Sequence, residues 1–212
     1  MRASKAKTKI RQEQLARAAL KLLAVRGWQC ISLAAIAREV GVVTSAVYRH
    51  YKCKDDVLNA VLDLVGASFQ NNVQIARHTS ADPVAQLHEI LVRHVQLITD
   101  GVPVPRIVLS EDIFTGSARR RKKVQTIYQA YLGHVTDIIR HAQKQRCICG
   151  EPAAETLSLM WLGLVQSPAI LWLLSKGGFD LQEHCERAWQ VFIQGITTID
   201  CCGDKRISGN GL

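Results

Sequence analysis

The chain has 212 residues, a net charge of +9, 48% hydrophobic residues and 21% charged residues. These values are typical of a globular protein and exclude a disordered chain, a collagen-like chain or a small disulfide scaffold. Residues 1–54 contain 12 Lys and Arg but only two acidic residues, Glu13 and Glu39. Because the rest of the chain is nearly neutral, this segment predicts an anionic partner, either nucleic acid or a membrane surface.

Helical spacing of apolar residues dominates the chain, and strand signals are nearly absent. The predicted fold is therefore all-α, with about nine helices. Their predicted spans are 8–26, 33–40, 44–50, 54–77, 82–99, 106–114, 117–146, 152–175 and 180–198. Residues 200–212 have the composition of a frayed tail, which predicts disorder there.

The second and third predicted helices have the spacing of a helix-turn-helix. Ser32 is an N-cap candidate, Gly41 opens the turn, and Ile36 and Val47 supply contacts between the helices. Such a unit places its second helix in the major groove of DNA. An ordinary helical hairpin in a bundle is the alternative, because this spacing alone is weak.

The stretch from Ile31 to Lys54 resembles the DNA-binding signature of the TetR/AcrR family of bacterial transcriptional regulators. The residues that carry the resemblance are Gly41-Val42, Val47-Tyr48-Arg49-His50-Tyr51 and Lys54, preceded by Ala18-Ala19 and Gly27-Trp28. The specific likeness covers about residues 8–68. It implies an all-helical homodimer that binds a double-stranded DNA operator. It also implies a three-helix DNA-binding domain, here 1–54, followed by a ligand-binding and dimerisation domain, here 55–199.

The resemblance implies DNA contacts for eight residues: Ser32, Thr44, Ser45, Ala46, Tyr48, Arg49, His50 and Lys54. Residues 44–46 would face base edges, Arg49 a base or a phosphate, and the other four phosphates. The chain departs from the family at Val43 and Cys53, where Ser is frequent, and at Ser45, where many members have Gly or Pro. These departures leave the preferred DNA sequence open.

A basic arm precedes the domain, with Lys5, Lys7, Lys9 and Arg11 close together. A flexible arm of this kind follows the DNA backbone or enters a minor groove, whereas the alternative is a solvated tail. Arg119 to Lys123 form a second basic run, at the start of a long helix. Five successive residues surround a helix, so a solvated outer surface is favoured over a second nucleic-acid contact.

A small hydrophobic, partly aromatic ligand is expected between the fourth and seventh helices, because apolar positions recur there on helices with mixed faces. The candidate lining is Phe69, Leu91, His94, Val95, Ile98, Ile107, Phe114, Tyr128 and Tyr131. For any one of these residues, simple core packing is the alternative. Binding would release the protein from DNA only if the ligand favoured one dimer geometry over another.

The last two long helices are unusually apolar for a chain of this size, which predicts a subunit interface. The resemblance implies the same. The candidate interface residues are Trp161, Leu162, Leu164, Val165, Leu171, Trp172, Trp189 and Phe192. A membrane span over 156–175 is disfavoured because Pro168 and several polar residues interrupt it.

The sequence contains no catalytic constellation, so neither an enzyme nor a cofactor site is expected. The seven cysteines are irregularly spaced and no signal peptide is recognisable, which predicts free thiols in the cytoplasm. The pairs Cys147/Cys149 and Cys201/Cys202 leave a metal or redox sensor open, although no metal site is predicted. The leading interpretation is a ligand-released repressor. The alternative is a DNA-binding architectural or cell-cycle factor that acts through a protein partner without a ligand.

Overall fold

The structure is a computed structural model that describes residues 2–27, 31–108, 110–111, 113 and 116–197, with side chains from residue 8 onward. These residues form nine α-helices and no strand. The helices are α1 (Arg2–Arg26), α2 (Leu33–Val40), α3 (Thr44–Tyr48), α4 (Lys54–Thr79), α5 (Pro83–Thr99), α6 (Val104–Val108), α7 (Ala118–Lys144), α8 (Ala154–Leu174) and α9 (Leu181–Thr197). The all-α prediction is confirmed. The tail predicted over 200–212 lies outside the described residues.

The helix starts differ from the predicted ones by one or two residues in most cases and by six in α1. Helix α1 begins at Arg2 instead of residue 8, so the backbone of the basic arm is helical and continuous with the first helix of the domain. The expectation of a flexible arm is therefore wrong for the backbone of this segment. The helix expected over 106–114 is represented by α6, which begins earlier, at Val104, and ends at Val108.

Local signals explain where α4 and α5 begin. Asp55 and Asp56 lie in the first turn of α4, where carboxylates complement the positive end of the helix dipole. Asp82 caps α5 by accepting hydrogen bonds from the backbone of Val84 at 3.0 Å and Ala85 at 3.3 Å, and Pro83 follows at the first helical position. These helices therefore start where the sequence predicts.

Helix α4 follows the helix-turn-helix directly. It packs against α1, α5 and α7. Buried residues run along its length from Val57 to Ala76. Helix α4 therefore shares a packed core with α5 and α7, as well as with α1.

Helix α8 is long and apolar enough, by length and composition alone, to cross a membrane, which is weak support for a span. Trp161 and Val165 on this helix are completely buried, and α8 packs against α7 and α9. The core helix of a globular protein passes the same test of composition, and this packing is what such a helix requires.

Candidate functional site

The turn between α2 and α3 has the geometry that the sequence predicts. The Ser32 side chain accepts a hydrogen bond from the backbone N–H of Ala35 at 3.1 Å and caps α2. Gly41 ends α2 with φ of 72°, a left-handed conformation that glycine adopts without strain. Val42 then donates from its backbone to the Ala37 carbonyl at 2.9 Å. Local chemistry alone therefore fixes the angle at which α3 leaves the turn.

The core of the helix-turn-helix leaves one side of α3 for a partner. Ile36 and Val47 are completely buried, as predicted. Of the eight predicted DNA contacts, four are exposed: Ser32, Ser45, Tyr48 and Arg49. The other four are half-buried: Thr44, Ala46, His50 and Lys54. This arrangement presents hydroxyl, aromatic and cationic groups together, which suits contacts with both phosphates and base edges.

Val43 is a residue that the sequence reasoning did not assign. It occupies the N-cap position of α3, contributes no side-chain cap, and is 70% exposed. An apolar side chain at the start of a recognition helix can contact the methyl group of thymine. The signal was present in the sequence, because Val43 stands where the family often has a polar residue.

Tyr51 holds the end of the helix-turn-helix against α1. Its ring is buried, and its hydroxyl donates to the backbone carbonyl of Gln12 at 2.9 Å. Burial raises the pKa of Tyr51 to about 12, with smaller contributions from Asp63 and Asp56. The hydroxyl therefore keeps its proton and remains a donor. Asp56 in turn accepts from the Lys52 backbone at 2.9 Å, which orders the entry into α4.

The prediction that the basic run at the start of α7 forms a solvated outer surface is correct only in part. Arg119 and Lys122 are exposed, as a solvated surface requires. The side chain of Arg120 is only 5% exposed and is paired with Asp55 of α4, and Lys123 is paired with Asp63. The difference arises because two of the five positions lie on the side of α7 that packs on α4.

The candidate ligand residues form the core of the larger helical region. Of the nine, seven are 3% exposed or less: Phe69, Leu91, His94, Val95, Ile98, Ile107 and Tyr131. Tyr128 is half-buried, and Phe114 lies outside the described residues. The Phe69 and Tyr131 rings stack at 4.4 Å, and the His94 ring lies 5.0 Å from Phe69. In this state these residues contact one another, so their role as a ligand lining stays a prediction.

His94 is the polar centre of this aromatic cluster. Its Nδ1 lies 3.3 Å from the Tyr131 hydroxyl, while its buried Nε2 has no hydrogen-bond partner among the described residues. Burial lowers the pKa of His94 to about 4, so the ring is neutral at physiological pH. A buried nitrogen without a partner costs free energy that a ligand with a polar group would recover.

Two small voids flank Ile127 beside α4. One has a cavity volume of about 30 Å³ and borders Phe69 and Tyr131, and the other has about 10 Å³ and borders Ile107 and Tyr128. Leu91, His94, Val95 and Ile98 border neither of these two voids. Small-molecule sites usually have at least ~300 Å³. Neither void alone therefore accommodates a ligand unless side chains move.

Half of the predicted interface residues are buried within the protomer. Four of the eight side chains are 7% exposed or less and belong to the protomer core: Trp161, Val165, Trp189 and Phe192. The Trp161 indole also donates to the Leu87 carbonyl of α5 at 3.3 Å. For Trp161 and Val165 the reason is that α8 is apolar on all sides, so apolar character does not distinguish its inner from its outer surface. Trp189 and Phe192 lie on the side of α9 that is buried within the protomer. Leu171 is exposed, and Leu162, Leu164 and Trp172 are half-buried.

The exposed apolar surface of α8 combines Leu171, which the sequence predicted for the interface, with residues that were not assigned from the sequence. Leu159, Met160, Leu171 and Leu174 are between 52% and 75% exposed. Gly163 lies in the same stripe and has no atom within 4 Å of the place where a Cβ would stand. Another apolar helix can therefore pack closely against this stripe.

No disulfide joins the described cysteines. Cys53 and Cys147 are exposed, Cys149 is half-buried and Cys185 is buried. Cys30, Cys201 and Cys202 lie outside the described residues. Within the described ranges, no group of three or more His, Cys, Asp or Glu side chains is arranged to hold a metal ion.

Comparison with known proteins gives two family matches. Residues 15–61 match the model of bacterial regulatory proteins of the tetR family, and residues 80–196 match the model of the tetracyclin repressor-like C-terminal domain. The transcriptional repressor BepR of Brucella suis is 25% identical over 92% of this chain and 96% of its own length. The nucleoid occlusion factor SlmA of Shewanella sediminis is 22% identical over 87% of this chain and 93% of its own.

The fold also has relatives among solved structures. The transcriptional regulator FadR of Bacillus subtilis, in complex with stearoyl-CoA, has a TM-score of 0.75 at 19% identity. The match covers 86% of this chain and 98% of that chain. Both family models together span the helix-turn-helix and the larger helical region. The chain therefore belongs to the TetR family of bacterial regulatory proteins and is a DNA-binding transcriptional regulator.

Proposed function

We propose that this regulator is a cytoplasmic repressor, a homodimer that binds an inverted-repeat operator and releases it when a small hydrophobic ligand binds. The observation that carries the proposal is the exposed side of α3, with Ser45, Tyr48 and Arg49, which lies in the most basic segment of the chain. In this scheme residues 1–54 bind DNA and residues 55–199 bind the ligand and the second subunit.

On DNA, the predicted roles follow from exposure and chemistry. Ser32, Tyr48, His50 and Lys54 bind phosphates and set the orientation of the reader helix. Thr44, Ser45 and Ala46 face base edges, and Arg49 reaches a base or a phosphate. We add Val43 as a contact for thymine methyl groups, because it is 70% exposed at the start of α3.

The second subunit is proposed to cover the exposed stripe of α8. Leu159, Met160, Leu171 and Leu174 form an apolar surface, and Gly163 permits close helix approach. Covering such a surface with an identical stripe satisfies two-fold symmetry. That symmetry places two reader helices about one DNA turn apart, ~34–36 Å, and requires two equivalent half-sites.

The ligand is proposed to enter the aromatic cluster around Phe69 and Tyr131. Ile127 lines both voids. We infer that the ligand enters by moving this side chain and enlarging the space beside Phe69 and Tyr131. The neutral His94 Nε2 supplies one polar contact in an otherwise apolar site. The fold relative solved with stearoyl-CoA makes long-chain acyl compounds the first ligand class to test.

A second candidate function is a DNA-binding factor that acts through a protein partner and has no small ligand. The filled core around Phe69 and Tyr131 favours it, as does the similarity to nucleoid occlusion factors. In that case the exposed surfaces, and not the core, would carry the regulation.

One experiment distinguishes the candidates. An operator is selected from a random duplex library with the purified protein, and its dissociation constant is measured with and without stearoyl-CoA, stearic acid and a set of aromatic hydrophobes. The repressor proposal expects a palindromic consensus and release by a compound that also raises the melting temperature. Replacing His94 by Leu, which removes the proposed polar contact for the ligand, should weaken that release. Operator affinity unchanged by every stabilising compound would favour the partner-dependent factor.

A further inference from the structure

The start of α7 forms an electrostatic clamp on the start of α4. Arg120 Nη1 lies 2.5 Å from Asp55 Oδ1, although the two residues are 65 positions apart in the chain. The Arg120 side chain is 5% exposed, whereas the Asp55 side chain is 57% exposed. The guanidinium therefore reaches Asp55 from inside the protein, beneath the first turn of α4.

Lys123 makes the second contact of the clamp, one turn further along α7 and one to two turns further along α4. Its Nζ lies 2.7 Å from Asp63 Oδ2 and donates to the Asn59 backbone carbonyl at 2.9 Å. The amide of Asn59 in turn donates to the Asp55 carbonyl at 2.9 Å. Because Asp55, Asn59 and Asp63 recur every four residues, they share one side of α4. Arg120 and Lys123 share the facing side of α7 for the same reason.

A close backbone approach continues the clamp beyond its charged part. A Cβ built at Gly66 of α4 would lie only 3.2 Å from the Ile127 side chain of α7. The glycine thus allows the two helices to stay close just after the ion pairs. Along α4, ion pairs and hydrogen bonds to α7 come first and close packing follows.

The clamp holds the end of α4 that matters for DNA. Lys54, the predicted phosphate ligand, immediately precedes Asp55. Without Arg120, the exposed carboxylate of Asp55 would keep only the weaker compensation of the α4 dipole and would add negative charge next to the proposed phosphate contact of Lys54. The Asp55 carboxylate and a DNA phosphate bound to Lys54 would repel each other, and salt would weaken this repulsion by screening it.

We propose that Arg120 is a positioning residue for operator binding: it fixes the first turn of α4 beneath Lys54 and cancels the charge of Asp55 there. The proposal rests on the function proposed above, in which Lys54 binds a phosphate. Arg120 does not contact DNA itself, since its side chain is buried. A basic residue of the ligand-binding part thus contributes to the DNA surface through an acidic residue of α4.

The test compares Arg120→Met, Asp55→Asn and the double variant on the selected operator, at several salt concentrations and well below each melting temperature. We expect Arg120→Met to weaken binding about tenfold at low salt, with a smaller deficit at high salt as the repulsion is screened. Adding Asp55→Asn should restore most of the affinity, because it removes that negative charge. A role in folding alone would not produce this rescue. Arg120→Lys, which keeps the charge, should lose less.

Arg119→Met is the matched control, because it removes the same charge from an exposed neighbour. Its operator affinity should stay within about twofold of the wild type, as for an exposed charge remote from the contact. An equal loss in Arg119→Met and Arg120→Met, or no rescue by Asp55→Asn, would overturn the proposal. If Lys54→Ala weakens binding while Arg120→Met does not, only this inference fails. If Lys54→Ala has no effect, the proposed DNA interface itself is wrong.

Discussion

The Cys185 thiol of α9 donates a hydrogen bond to the Leu164 carbonyl of α8, with 3.2 Å between sulfur and oxygen. In a regular helix that carbonyl would accept from the backbone N–H four residues later. That residue is Pro168, which has no N–H. Burial raises the pKa of Cys185 to about 11, so the thiol keeps its proton at neutral pH. The proline in α8 is therefore accommodated by a donor from α9.

We predict that Cys185→Ala destabilises the protein by about 1–2 kcal/mol, because the Leu164 carbonyl loses its partner and a buried sulfur is removed. Cys185→Ser should cost less, since a hydroxyl can donate to the same oxygen. Urea denaturation of both variants measures the difference in the free energy of unfolding. A serine variant as unstable as the alanine variant would show that the hydrogen bond contributes nothing.

The neutral state of His94 predicts a dependence of stability on pH. Burial lowers its pKa from 6.5 to about 4, so the unfolded chain binds a proton more readily than the folded one. The resulting stability is fully present above pH 6.5 and is lost as the pH falls toward 4. Between pH 7 and pH 5 the loss should reach about 2 kcal/mol.

His94→Gln is the control for this pH effect, because an amide can still bond Tyr131 but does not titrate. The free energy of unfolding of wild type and variant is measured by urea denaturation at each pH. The loss between pH 7 and pH 5 should be about 2 kcal/mol smaller in the variant. Parallel curves would mean that the His94 ring is accessible to protons in the folded state.

The outer stripe of α8 predicts the effect of a bulky residue at Gly163. No described atom lies within 4 Å of a Cβ at this position, so Gly163→Leu should leave the protomer intact. A leucine there would instead separate two subunits that meet along α8. We expect a shift from dimer to monomer in sedimentation velocity, with unchanged helical content in circular dichroism. A Gly163→Leu variant that remains fully dimeric would place the interface elsewhere.

The sequence predicted the helix-turn-helix well because its determinants are local. Ser32 caps its own helix and Gly41 adopts its own positive φ, so neither depends on distant residues. The spacing of Ile36 and Val47 is sufficient to identify the buried side of the unit, because both helices are short and amphipathic.

Side-chain partners from distant elements could not be predicted in the same way. Arg119 and Arg120 are identical in type and adjacent in sequence, yet only Arg120 meets Asp55. In α8, Trp161 is buried and Leu159 is exposed, although both are large and apolar. Periodicity indicates an apolar helix but does not tell which side packs inside the protomer when both sides are apolar. These assignments require the packing of α4, α5 and α7.

The last prediction concerns the salt dependence of operator binding. Replacing Lys54 by Ala removes one proposed phosphate contact in each subunit. The slope of log affinity against log salt should therefore fall by ~0.9 per subunit, or ~2 per dimer. Tyr48→Phe is the matched control: its ring is 56% exposed, and the change removes a hydroxyl without a charge. It should weaken binding while leaving the slope nearly unchanged.

The same variants also test which contacts read the DNA sequence. Lys54→Ala and Tyr48→Phe should affect all operator sequences about equally, because phosphates carry no sequence information. Ser45→Ala or Val43→Ser should instead change which operator is preferred. Fluorescence anisotropy with the selected operator and single-base variants measures both quantities. A Lys54→Ala variant with altered sequence preference and an unchanged slope would contradict the assignment of Lys54 to a phosphate.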